Sequence, residues 1–214
     1  MPVRLFTWAV CVFIASAAVA QTTEPVTIPG VHVDQSTPHG AIDTWMIAST
    51  LNDAPTMRSA LYGDDDTQRR LIYALSALAE ARNALEAAKK AAFPTEYKDP
   101  LPQQEAMLAE VVAQIGVGKE QIDGDTAEYQ RDQRGHPIIL KKYDGQWCVP
   151  VTSIFTPHDP VALAFATRQV IAEAAVDKQG AADIAAGKYV SLTEADDTIQ
   201  HHIDEAKARA TTQP

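Results

Sequence analysis

Cysteine is nearly absent from this chain: two occur in 214 residues, Cys11 and Cys148. Cys11 lies in an apolar stretch at the front that we read as a cleaved leader, which leaves Cys148 alone. An internal disulfide is therefore excluded, and packing must supply the stability. Long apolar runs are scarce as well. Beyond residue 20 none approaches the roughly 20 residues that cross a bilayer, so no membrane span is expected. Basic clusters are limited to Arg69-Arg70, Lys89-Lys90 and Lys141-Lys142, in a chain whose formal net charge is −10. That balance argues against nucleic acid as a partner and against anionic membrane surfaces. The chain also lacks a glycine-rich phosphate loop, a nucleophile elbow and a zinc-binding cysteine cluster, so no motif implies a cofactor.

What is present begins with Arg4, an almost unbroken apolar run over 5–18, and Ala18-Val19-Ala20, the small-x-small pattern cut before Gln21. Residues 1–20 read as a signal peptide, which implies a periplasmic or secreted protein. Residues 21–36 carry prolines and threonines without helical period and read as an extended linker outside the core.

The pattern over 37–180 is that of one α+β domain: a small antiparallel sheet of three to four strands packed against N-terminal helices, with a long helical hairpin and C-terminal helices. A helix pair is predicted over 37–62. Thr37 caps it, Pro38 takes the first helical position, Ile42, Trp45 and Met46 share a face, and Gly63 closes the second member. Over 67–115 we expect a helical hairpin. Leu71, Leu78 and Leu85 recur every seven residues, with Ala74, Ala81 and Ala88 interleaved, and the helix after Pro94 to Pro102 is the natural antiparallel neighbour for that close-packing seam. An antiparallel sheet is predicted over 119–153, in two hairpins at Asp123-Gly124 and Asp144-Gly145. A two-residue turn at Asp144-Gly145 sets Ile138, Leu140 and the Lys142 stem opposite Trp147, Val149 and Val151, which share a face. Pro150 then cannot donate to the neighbouring strand, so pairing should end near Cys148 or shift through a bulge. A further helix is expected over 158–177, ending near Gly180, and 181–214 reads as a helical tail that lies on the surface or frays.

Asp123-Gly-Asp-Thr-Ala127, followed by Ile138-Ile-Leu-Lys-Lys-Tyr-Asp-Gly-Gln-Trp147, resembles the nuclear-transport-factor-2-like superfamily, also called SnoaL-like. The resemblance implies a helix pair ahead of a curved antiparallel sheet, one strand opening with a Gly-Asp-x-Ala turn and a later hairpin reading apolar-x-apolar-Asp-Gly-x-Trp. Residues 37–62 look like that helix pair, 124–152 like the sheet, and 67–115 like an inserted helical hairpin. Such domains include isomerases, cyclases and dehydratases, and also non-catalytic binding and association domains, so the likeness implies fold more than activity.

Trp45, Tyr129, His136 and Trp147 are the residues expected to line a pocket or core face. For acid–base work in such a cavity the titratable choices are Asp43, Tyr62, Tyr129 and His136, but Asp43 falls on the polar side of its helix and His136 precedes a proline at a strand edge. His201, His202 and Glu205 stand close on one helix but are too few for a metal centre, and His158-Asp159 reads as a helix cap. No catalytic or metal-binding residue is assigned. The reading that follows is an exported, non-catalytic domain that binds a small molecule or a protein. Its alternatives are an isomerase- or cyclase-type enzyme with a sheet-lined pocket, and a protein that self-associates, as a homodimer, through the leucine–alanine helix.

Overall fold

The computed structural model describes residues 34–115, 118–130, 137–154 and 159–212. The expected signal peptide, most of the expected linker and His136 lie outside the described residues.

Helix α1 spans Pro38–Thr50, and the Thr37 hydroxyl accepts from Gly40 N at 3.0 Å, as cap and proline together predict. Asn52, at φ 53°, turns the chain into α2 (Ala54–Ala60), capped by Asp53. The linker's last residues do not stay outside the domain. Trp147 N donates to Gln35 O at 2.8 Å, and the Gln35 amide reaches the carbonyls of Ser59 and Trp147, both at 3.1 Å. A backbone donor at the sheet's end needs an acceptor, and the incoming chain supplies it.

Five strands form one sheet, β1 (Leu61–Tyr62), β2 (Lys119–Asp123), β3 (Thr126–Gln130), β4 (Ile138–Tyr143) and β5 (Gln146–Pro150), in the order β1-β5-β4-β3-β2. The expectation of three to four antiparallel strands is thus one strand short, because β1 pairs parallel with β5. Asp144 and Gly145 both have positive φ, 49° and 83°, as a tight hairpin turn requires. The register sets Lys142 opposite Trp147 and Lys141 opposite Cys148, where β4–β5 pairing stops. Pro150, with no N–H to offer β4, instead faces Tyr62 of β1. A single 3-10 turn at Val151–Ser153 replaces the end expected for the last strand.

Helix α3 spans Asp66–Ala92 over 27 residues, with Asp65 capping it through Gln68 N and Lys89 and Lys90 in its last turn. Its leucine–alanine seam is covered by α5 (Pro160–Ala185), whereas α4 (Leu101–Ile115) lies against α1 through Leu108, Ile47 and Leu51. This corrects the expected hairpin partner. A 26-residue helix covers far more of a 27-residue seam than a 15-residue one, and buried apolar area decides. The seam is filled within the chain, so it is not a free surface for a second copy.

Asp159 caps α5 by accepting from Val161 N and Ala162 N, both at 2.9 Å. The helix runs through Gly180, where an end was expected, and α6 (Leu192–Thr212) folds back onto it. Ala195, Ile199, Ile203, Ala206 and Ala210 are buried, so the expected surface tail is a docked helix. Gly180 explains both errors: a Cβ there would stand 2.7 Å from Ile199 Cδ1, so the glycine is a crossing point rather than a stop. The apolar interior falls into a large cluster between the sheet and α1, α2, α3 and α5, and a smaller one around Leu85, Ile184, Ala195, Ile199 and Ile203.

Candidate functional site

The sheet face that sequence reasoning favoured is packed. Trp147 is 4% exposed and Tyr129 1%, both within the large cluster, and Trp45 is half-buried against it. A Cβ on Gly118 would collide with the Tyr129 ring, so the chain entering β2 closes over the phenol. Cys148 sits on the opposite face, 3.7 Å from Ser59 O, and burial pushes its thiol pKa up, which suits packing rather than attack.

One polar cluster borders that core. His39 Nε2 lies 3.4 Å from Asp43 Oδ2, and the His39 ring meets Tyr129 edge-on at 6.1 Å between centroids. The Asp43 side chain is 14% exposed, not solvent-facing as its helix position suggested. Burial raises its pKa against the opposing pull of His39, while Oδ1 has no hydrogen-bond partner among the described residues. Tyr62 belongs elsewhere, at the surface, where its hydroxyl donates to Asp64 at 2.9 Å and Lys141 holds that carboxylate at 3.0 Å.

Two concavities among the described residues stand out, and neither is lined by Trp45, Tyr129 or Trp147. The larger, about 630 Å³, runs between α5 and α6. Its α5 wall is a helical stripe of Arg168, Ile171, Ala172, Ala175, Val176 and Gln179, and α6 contributes Ile199, His202, Ala206 and Arg209. Ile171 is 55% exposed there. Asp183 at one end is held ionised, its pKa lowered by hydrogen bonds from Lys188 and Gln179, both at 2.7 Å.

Behind this groove α3, α5 and α6 are tied by charge. Glu173 meets Arg82 and Lys207 at 2.6 Å each, which lowers its pKa against the opposing effect of burial. Asp177, with a side chain 4% exposed, lies 3.9 Å from Arg82, and burial followed by the Glu173 charge raises its pKa. A raised folded-state value means that the folded chain holds this proton more tightly than the unfolded one. The contribution is therefore favourable at low pH and is lost as pH rises through the folded pKa. Asp177→Asn is expected to raise the urea midpoint at about pH 7, with the gain shrinking toward about pH 3.5 as the native carboxyl protonates. Equal midpoints at neutral pH would contradict this.

Comparison with protein-family models, curated proteins and solved structures returns no match to this chain. Among the described residues no helix is long and apolar enough to cross a membrane.

Proposed function

We propose that this chain is an exported, non-catalytic ligand-binding domain of the cell envelope, and that it binds in the groove between α5 and α6. The observation that carries the reading is the groove itself. Its volume, about 630 Å³, falls within the range of small-molecule sites, and Ile171, Ala172, Ala175 and Val176 present an apolar wall that neither helix covers. Its polar groups suit recognition better than proton transfer, since Asp183 is neutralised by Lys188. The likeness to the nuclear-transport-factor-2-like superfamily belongs to this proposal and rests on the two Asp-Gly hairpin motifs of the sequence.

A neutral solvatochromic probe, N-phenyl-1-naphthylamine, should show saturable fluorescence enhancement with the protein. Ala175→Trp, at an exposed position that fills the groove, should abolish it while leaving the circular dichroism unchanged. No saturable enhancement, or an undiminished one in the variant, would sink the reading. The second reading, an isomerase- or cyclase-type enzyme, draws on His39 and Asp43 beside the buried Tyr129 phenol. Turnover of a small carbonyl compound that disappears in Asp43→Asn would favour it.

A further inference from the structure

We infer that the α5–α6 groove takes a chain-like amphiphile with a single anionic head, a carboxylate, seated at the end marked by Arg168 and Arg209. The inference rests on the groove being the binding site and adds the class of ligand.

Its basis is how the lining residues are ordered along the groove. Gly180 meets Ile199 and Glu173 meets Lys207, so α5 and α6 run antiparallel, and Arg168 and Arg209 both fall toward the end of the groove away from the α5–α6 connection. From Arg168 to Asp183 the α5 wall extends about 22 Å at 1.5 Å per residue, which suits an elongated occupant. Between those ends the lining of α5 is Ile171, Ala172, Ala175 and Val176, and Ile199 and Ala206 face them from α6. Tyr189 closes the far end beside Asp183, whose charge Lys188 already answers at 2.7 Å.

Arg209 is exposed and its Nη1 lies 3.8 Å from Glu205 Oε2. Arg168 stacks its guanidinium 5.9 Å from the Phe165 ring centroid, and its Nε is out of water with no hydrogen-bond partner among the described residues. An N–H donor without acceptor is a standing cost, and a turn of the side chain into the groove would let a ligand carboxylate remove it while the guanidinium offers a second parallel N–H for bidentate pairing. In a chain of net charge −10, two arginines on one apolar groove select against a cationic amphiphile.

Isothermal titration of the whole protein with decanoate, 1-decanol and decyltrimethylammonium, each below its micelle concentration, tests this. Decanoate is expected to bind at least tenfold more tightly than 1-decanol, and the ammonium more weakly than either. Arg168→Gln should bring decanoate to the affinity of 1-decanol without changing 1-decanol itself, and Arg209→Gln should weaken decanoate by a smaller factor. Equal binding of decanoate and 1-decanol, or an unchanged preference in Arg168→Gln, overturns the inference while the groove still stands as a site. If no probe binds, the groove reading fails and the inference with it. Two further outcomes overturn it. One is a concentration-dependent dimer in sedimentation that Ala175→Trp abolishes, which would make a second copy the occupant. The other is capture of anionic phospholipid vesicles without binding of free decanoate.

Discussion

Trp147→Ala is expected to destabilise the fold by about 3–5 kcal/mol, a large share of the roughly 5–15 kcal/mol by which a domain is stable. The indole is 4% exposed and belongs to the cluster that joins the sheet to α1, α3 and α5 through Ile42, Leu71, Leu140, Val149, Val151 and Leu163. Several elements meet around it, so none can collapse into the space without leaving another, and the cavity term adds to the lost transfer energy. The Lys142 ammonium, 5.7 Å above the ring, loses a cation–π contact worth about 0.5–1 kcal/mol at an exposed site. The backbone bond from residue 147 to Gln35 O survives the substitution, so the loss reports side-chain burial. Urea unfolding followed by far-ultraviolet circular dichroism measures it, and a loss below about 1 kcal/mol would mean that the indole is not a core group.

Gly180→Leu is the second large effect. A Cβ at this position already stands 2.7 Å from Ile199 Cδ1 and 2.9 Å from Cγ1, so the rest of a leucine has no space while α6 stays docked. Overpacking of this kind costs about 1–3 kcal/mol. Expulsion of Ile199 forfeits about 1.5–3 kcal/mol of burial instead. The expected result is a chain whose sheet and large cluster persist while α6 amides lose hydrogen-exchange protection and the groove disappears. Gly180→Ala makes the contrast. Its single methyl meets the movable end of Ile199, and the gain in helix propensity, about 1 kcal/mol, offsets the crowding. Near-neutral alanine with a disruptive leucine identifies a packing glycine; two equally mild variants would show that α6 is loosely held.

The legible parts of the fold were those specified by neighbouring residues. Asp144-Gly145 takes positive φ at both turn positions, which few residue pairs tolerate, so the β4–β5 register and the Trp147 face followed from local chemistry. Thr37-Pro38 and Asp159-Pro160 likewise declared their caps. What escaped depended on partners distant in the chain. Gly180 ends a helix or admits a crossing one, and only Ile199, far along the chain, decides which. Strand β1 is two residues long, too short to show a period, and exists because β5 offers it an edge. The seam of α3 announced a close-packed partner without naming it, and the longer α5 took the place assigned to α4. Asp43 looked solvent-facing along its own helix, yet it is largely covered in the fold. The groove between α5 and α6 left no signature, because about half of its apolar lining is alanine and part of it comes from a helix that read as a fraying tail.

Helix α3 carries Leu71, Ile72 and Ala79 in the large cluster and Leu85 in the small one. It therefore acts as a beam shared by two unequal compartments, and α6 draws its anchorage from the lesser of them. Opening of that compartment exposes only its own few side chains and leaves the sheet end standing, so the protein should breathe in two tiers. In native-state exchange, amides of α6 and the last turns of α3 would form a faster class, while those of β4 and β5 would open only with global unfolding. A groove built on the looser tier can part without straining the core beneath it.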